Sequence, residues 1–505
     1  MESILAALLK HAEQTPNKPC IIWQTHTYTY AQLRDGALTF AQQLQQHHLQ
    51  PGEPVALFLE NSIDFLYAYF GIGLVGGVVV LVNNIYKQTE LRHILNDCAA
   101  RICITSGAQL AELDRIRADL PHLQHSLDID TLTLPPLITP SPLHPINAYN
   151  NQSSENAAVI GYTSGTTGRS KGAVLLHRNL AANIANVCAA WQWAGNDHLL
   201  LMLPLFHVHG LLVGISGTIW MGASCELHRS FNAALAYERL CSGEFSMFFG
   251  VPTLYTRLID EARATLHASR PAPPNLRLYV SGSAALSPQT FHEFETLFGQ
   301  KILERYGMTE TVMNLTNPYE GERRPGTVGQ PFPNQEARIV DVHTRQPVPS
   351  DTVGEIEVRG PHVFAGYLNR PDATAESFTA DGWFKTGDLG TVSADGYFTI
   401  TGRAKELIIT GGYNVYPREV EEVLLHCPGV AEAAVFGLPD REYGECVCAA
   451  IVRTDETLTE ETLIAFCKDQ LASYKKPRRV FWVDALPRNA MGKVQKQVLA
   501  MEITN

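Results

Sequence analysis

Tyr162-Thr163-Ser164-Gly165-Thr166-Thr167-Gly168-Arg169-Ser170-Lys171-Gly172 follows the apolar run Ala157–Ile160 and precedes a second one, Ala173–Leu176. Ser and Thr hydroxyls with three glycines make a segment dense in O–H and N–H donors, and Arg169 and Lys171 add the cations that a polyphosphate requires. Taken alone, the same residues also suit a Ser/Thr/Gly hairpin. They do not form a Walker A loop, because Gly165 and Gly168 lack the four-residue gap and no Lys-Ser/Thr pair follows.

Outward from this stretch, short apolar runs alternate with segments of helical spacing. Residues 54–61, 77–84, 101–105, 198–205 and 276–282 read as strands ending in turn formers, with helical patterns such as SIDFLYAYFGIG and SPQTFHEFETLF between them. That alternation predicts α/β architecture with largely parallel sheets. Residues 130–151, rich in proline, read as an irregular surface connection. After about Ala337 the pattern changes to short strands with Asp-Gly turns at 381–382 and 395–396. Beyond Gly402 it changes again, with Pro417 at a first helical position and strands at VAEAAVFGL and CVCAAIVRT. The expected organisation is an N-terminal domain, 1–402, with parallel-rich sheets and a β-rich subdomain over about 337–402, then a mobile α+β domain, 403–505.

Composition narrows the function. The 505 residues are 45% apolar and 18% charged, which fits a packed multi-domain protein and excludes wholesale disorder. A formal charge of −12 argues against nucleic acid and anionic membrane as partners. Leu66–Val82 is uncharged but is interrupted by Gly71, Gly73, Gly76 and Gly77, so a helix, a Gly-Gly turn and a buried strand are expected rather than a membrane span. The ten cysteines contain no CxxC pair, and the spacing of Cys446 and Cys448 places both on one face of a strand. MESILAALLKHAEQ is not a secretory leader and Ile503-Thr504-Asn505 is not a peroxisomal tripeptide, so the expected location is cytoplasmic.

Further motifs follow the first in order: Tyr306-Gly307-Met308-Thr309-Glu310, Thr386-Gly387-Asp388, Gly402-Arg403-Ala404-Lys405-Glu406-Leu407-Ile408, Gly411-Gly412-Tyr413-Asn414-Val415-Tyr416-Pro417 and Pro487-Arg488-Asn489-Ala490-Met491-Gly492-Lys493. With Tyr162–Gly172 this series resembles the adenylate-forming (ANL, acyl-CoA synthetase) superfamily across essentially the whole chain. The resemblance implies ATP, Mg²⁺ and coenzyme A. An acid attacks the α-phosphorus to give an acyl-adenylate and pyrophosphate, and a thiol then takes the acyl group and releases AMP. It also implies site residues. Thr163, Ser164, Gly165, Thr166, Thr167, Gly168, Arg169 and Lys171 would hold the phosphates, with Thr309 near the α-phosphate and Glu310 and Thr166 toward Mg²⁺. Ser283, Ala284, Glu304, Arg305 and Tyr306 would lie on the nucleotide side, and Asp388 and Arg403 on the ribose, where ionised Asp suits two hydroxyls. Lys493 would enter for adenylation and leave for thioester formation, as the C-terminal domain turns about a hinge at Lys405. Lys405, Gly411 and Gly412 would face coenzyme A.

The acid is addressed by Leu203-Pro204-Leu205-Phe206-His207-Val208-His209-Gly210-Leu211 and by Arg305. His-x-His without a third ligand nearby reads as a strand end rather than a metal site. A guanidinium in the acyl pocket would suit a second carboxylate, although Glu304 or Glu322 could equally clasp it. With Arg169-Ser170-Lys171 and Asn317–Gly329, these features resemble the malonyl-CoA synthetases. That implies malonate, with methylmalonate as a slower substrate, and His207, Arg305, Ser281 and Met308 at the acid. The alternatives are a CoA ligase for oxalate, an aryl acid or a short or medium-chain fatty acid, or a non-catalytic acyl-adenylate binder. Oligomeric state is left open.

Overall fold

The computed structural model describes residues 3–132, 153–163, 170–266, 276–411, 413–489 and 493–504. Its contacts gather into two compact units, 1–337 with 358–384, and 338–357 with 385–505.

The first unit carries two parallel-rich sheets. One runs Gln330–Pro331, Leu315–Thr316, Leu303–Tyr306, Leu278–Ser281, Met247–Gly250, His198–Leu201, Ser224–Leu227, Pro19–Trp23, His26–Thr29. The six strands from Leu303–Tyr306 to Pro19–Trp23 are mutually parallel. The other runs Gly366–Tyr367, Lys171–Leu176, Ala157–Thr163, Val78–Leu81, Pro54–Phe58, Ile102–Thr105, His125–Asp128, parallel from Ala157–Thr163 onward. Buried on both faces, these strands need the near-continuous apolar runs that the sequence supplies.

The uncharged stretch resolves as expected. Ser62 caps the helix Ile63–Leu74 by accepting Phe65 N–H, Gly76 turns at φ +77°, and Val78–Leu81 is a buried strand. Among the described residues no helix is long and apolar enough to cross a membrane. Of the expected surface connection 130–151, residues 133–151 lie outside the described residues.

The second unit holds most of the four-stranded sheet Glu336–Val340, Gly354–Arg359, Phe384–Val392, Phe398–Arg403, and the sheet Tyr413–Val415, Ile408–Thr410, Gly444–Arg453, Val430–Asp440 with Arg479–Trp482 at its side. Cys446 and Cys448 are buried on one face of Gly444–Arg453, their sulfurs 4.0 Å apart. Residues 338–357 and 385–402 were expected in the N-terminal domain, but their contacts lie with the C-terminal residues. The Thr386 hydroxyl, donating to the Ile356 carbonyl at 2.7 Å, ties the two segments to each other, and Arg418, donating to the Ile400 carbonyl, ties them to the C-terminal residues.

Candidate active site

Parallel strands bring their C-terminal ends to one edge, the usual ligand edge of such sheets. Here that edge carries the segments after Leu201, Gly250, Ser281 and Tyr306, aligned by the pairs Leu201–Phe249, Gly250–Ser281 and Ser281–Glu304. His207, Ser281–Ala284 and Arg305–Glu310 all follow from it.

Three distant motifs meet around Glu310. Ala157–Thr163 and Lys171–Leu176 pair antiparallel, so Thr163 faces Lys171. The Lys171 ammonium lies 4.9 Å from the Tyr367 ring centroid, and the Tyr367 hydroxyl donates to Glu310 Oε1 at 2.9 Å. The Glu310 carbonyl accepts Phe364 N–H at 2.9 Å. Burial first, then the neighbouring carboxylate, pushes the Tyr367 phenol up, so it remains a donor. Thr309 packs on the phosphate-motif strand, since a Cβ at Gly161 would stand 2.5 Å from its methyl. Ser164, Gly165, Thr166, Thr167, Gly168 and Arg169 lie outside the described residues.

Arg305 lies on the strand Leu303–Tyr306 at this edge. It is 3% exposed, and its Nε and Nη2 have no hydrogen-bond partner among the described residues. Neither proposed protein partner takes it. Glu304, its strand neighbour, projects to the opposite face and accepts Leu286 N–H at 2.9 Å, while Glu322 pairs with Arg324 at 2.9 Å. Burial pushes the guanidinium down to about 9. Burial, then Arg305, lowers His207 to about 4, and burial, Arg305 and His207 hold His209 well below the imidazole range. Both rings are therefore neutral. His209 N–H donates to His207 Nδ1 at 3.3 Å, leaving the His207 proton on Nε2. His209 stacks on Phe249 at 5.9 Å. The hydroxyls of Ser281 and of Ser283, which adopts φ +69°, are also buried without a partner among the described residues. Met308 accepts the Tyr306 hydroxyl at 3.8 Å.

Gly282, which the sequence places in the adenine-side segment Ser281–Ala284 by resemblance, is what lets Arg305 lie where it does: a Cβ there would stand 2.5 Å from Arg305 Cζ. Gly282→Ala is expected to displace the guanidinium and raise KM for a diacid by on the order of 100-fold. Its KM for ATP should change little. A diacid KM within twofold of wild type would show that the guanidinium's place is immaterial.

In the second unit Asp388 and Arg403 face each other across an antiparallel pair, with Nε 3.0 Å from Oδ1. Lys493 closes a turn in which Asn489 N–H donates to its carbonyl at 2.9 Å and Asn489 Oδ1 accepts its N–H at 3.0 Å. Burial lowers its ammonium and Arg403 adds to this, against Asp388 and Glu406, so these four residues share one neighbourhood. Lys405 is exposed on the turn Ala404–Glu406, and Gly411 sits at φ +57° with its N–H on the Tyr443 carbonyl at 2.8 Å. Gly412 lies outside the described residues. Among the described residues no cluster of three or more metal-ligating side chains forms. Tyr367 carried no separate sequence signal, since it acquires its role only from the distant Glu310.

A parallel-sheet edge with a cation–carboxylate cluster and a buried guanidinium fits the class of adenylate-forming ligases. The chain belongs to the AMP-binding enzyme family: residues 8–368 match the AMP-binding enzyme model and 419–493 its C-terminal domain. It is 36% identical over 488 residues to a malonate–CoA ligase of Arabidopsis thaliana, covering 90% of this chain and 78% of that one. An oxalate–CoA ligase of the same plant is 35% identical, with 94% and 93% covered. The crystal structure of ATP-bound MatB from Rhodopseudomonas palustris superposes with a TM-score of 0.89 at 36% identity, covering 100% of this chain and 99% of that one. The protein is an acid–CoA ligase of the adenylate-forming superfamily.

Proposed function

We propose that the acid is malonate, activated with ATP and transferred to coenzyme A. The observation that carries this reading is the buried Arg305 guanidinium with no carboxylate partner among the described residues. An uncompensated buried cation is costly, and a substrate carboxylate would supply the bidentate mate that the described residues do not. The similarity to a malonate–CoA ligase and to MatB supports the same acid.

One malonate carboxylate docks on Arg305, with His207 Nε2–H and the Ser281 hydroxyl as further donors and Met308 beside them. The other attacks the α-phosphorus of ATP. The bond from that phosphorus to the pyrophosphate oxygen breaks, and malonyl-adenylate forms. Lys171 and Arg169 meet the charge that grows on the departing phosphates, where placed cations act most strongly. Thr309 lies at the α-phosphate, Asp388 and Arg403 take the ribose, and Ser283, Ala284, Glu304 and Tyr306 line the nucleotide side. Glu310 fits Mg²⁺: it is a buried carboxylate oriented by the Tyr367 hydroxyl, and Mg²⁺ is commonly held by one or two carboxylates together with substrate phosphates. When bound, the ion neutralises charge on the leaving pyrophosphate. Thr166, its other proposed ligand, lies outside the described residues. Lys493 serves the first step, and movement of the C-terminal residues about Lys405 then admits the coenzyme A thiol past Gly411 and Gly412. The thiol attacks the acyl carbon and AMP leaves.

The test is pyrophosphate release with malonate, methylmalonate, oxalate, butyrate and coumarate, with and without coenzyme A. Malonate should exceed butyrate in kcat/KM by up to ~10⁴, because a monocarboxylate leaves the guanidinium unmatched. Methylmalonate, with one added methyl, should trail malonate by about 10- to 200-fold. Butyrate outpacing malonate sinks the diacid reading, and turnover of none of the acids favours a binding protein.

A further inference from the structure

The helix His177–Ala190 follows directly on the strand that bears Lys171, and it buries three asparagines, Asn179, Asn183 and Asn186, at i, i+4 and i+7. That spacing puts them on one face. Buried amides are costly unless their hydrogens are used, and here two of the three are spent on backbone. Asn179 Nδ2 donates to the carbonyls of Pro361 and Val363, both at 2.8 Å. Asn183 Nδ2 donates to the carbonyls of Thr311 at 3.3 Å and Met313 at 2.9 Å. Asn186 instead accepts from the Asn334 amide at 3.2 Å.

The residue between the two carbonyls gripped by Asn183 is Val312, at φ +59°. A β-branched side chain in the left-handed region is strained, and such a conformation persists only when its surroundings over-determine it. The loop is tight on its other side as well. Val312 N–H donates to the Met308 carbonyl at 2.7 Å, and a Cβ at Gly307 would stand 2.0 Å from the Val312 carbonyl oxygen. Thr309 and Glu310 ride on this loop. The segment held by Asn179 continues into Phe364, which donates to the Glu310 carbonyl, and Tyr367, which donates to the Glu310 carboxylate. One helix thus ties together the strand of Lys171, the loop of Glu310 and the strand of Tyr367.

We propose that Asn183 is a positioning residue for adenylate formation: its amide clamps the backbone on either side of Val312 and thereby sets where Thr309 and Glu310 stand relative to Lys171. The proposal rests on the reading of those three residues as nucleotide-facing groups, so its test includes Glu310→Gln as a reference.

Asn183→Leu keeps the volume and removes both donors. Malonate-dependent pyrophosphate exchange should fall about 10- to 100-fold, the usual cost of losing a group that orients a ligand-holding residue. The Mg²⁺ concentration for half-maximal exchange should rise, and the increase in melting temperature produced by Mg²⁺ with ATP should shrink. Thioester formation from supplied malonyl-adenylate should stay within twofold, because that step involves no pyrophosphate. Asn186→Leu, one turn along, should leave the ratio of the two half-reactions at its wild-type value. Should Asn183→Leu not accumulate folded, Asn183→Ser, which retains one donor, is expected to show the same split at smaller amplitude. Equal loss of both half-reactions, unchanged exchange, or the same split in Asn186→Leu overturns the proposal. If Glu310→Gln loses exchange and neither Asn183 variant does, the positioning role alone fails. If Glu310→Gln keeps wild-type exchange and Mg²⁺ response, the nucleotide reading fails and takes this proposal with it.

Discussion

Lys493→Ala is expected to lower malonate-dependent pyrophosphate exchange by on the order of 100- to 1,000-fold, the cost of removing one preorganised charge donor from a developing anion. Thioester formation from supplied malonyl-adenylate and coenzyme A should stay within a few-fold of wild type. The split follows from chemistry. Only the first half-reaction breaks a bond at phosphorus and expels pyrophosphate, and it is at that five-coordinate phosphorus that an ammonium can bind the transition state more tightly than the ground state. The substitution should also fold well, because Lys493 sits on a turn held by Asn489 through backbone bonds that do not involve the ammonium. Its charged neighbours Asp388, Arg403 and Glu406 remain in place, and Asp388 keeps its 3.0 Å pair with Arg403. Both half-reactions are measured on one preparation. If they fall by the same factor, Lys493 is no adenylation-specific residue, and alternation about Lys405 loses its support.

Arg305→Met should show the second large effect, with opposite signs in activity and stability. Without the guanidinium, kcat/KM for malonate is expected to drop by about 10³- to 10⁴-fold, while butyrate is accepted as well as or better than before. Stability moves the other way. A buried cation with no carboxylate partner among the described residues is a cost to the fold, and an apolar side chain of similar length removes it, so the variant should be as stable or more stable by about 1–4 kcal/mol. The sign is checked by pH. Burial lowers Arg305 from 12.5 to about 9, so the cost is fully present below about 9 and is lost as pH rises toward 12.5. The advantage of Arg305→Met in chemical denaturation should therefore be largest at neutral pH and narrow in alkali. A variant that keeps its preference for malonate over butyrate would remove Arg305 from acid selection. One that is markedly less stable than wild type would mean that the guanidinium holds the fold together.

These two residues differ in how far they could be read in advance. Lys493, Asp388, Arg403, Glu310 and the phosphate motif each sit in a local string whose residue types carry the chemistry, and their order along the chain pointed to the superfamily before any coordinates. The strand and helix periodicities did the same for the parallel-rich sheets, because burial on both faces demands apolar runs that end in turn formers. Asn179 and Asn183 illustrate the opposite case. A polar residue in a helix reads as solvent-facing until the carbonyls it serves, more than a hundred residues away, are folded against it. The division between the two units is likewise not legible in local composition. The composition changes near Gly402, but residues 338–357 and 385–402 group with the later residues in one compact unit.

What the linear chain determined by itself was the class of chemistry, since phosphate, ribose and carboxylate handling each demand particular side chains at short spacing. Whether Glu304 or Glu322 pairs with Arg305 could be read only from tertiary structure. Glu304 and Glu322 were equally available in sequence, and it is the pleat that turns Glu304 to the opposite face and Arg324 that occupies Glu322. A guanidinium's partner is a matter of distance in space, and strand alternation with long-range packing sets that distance.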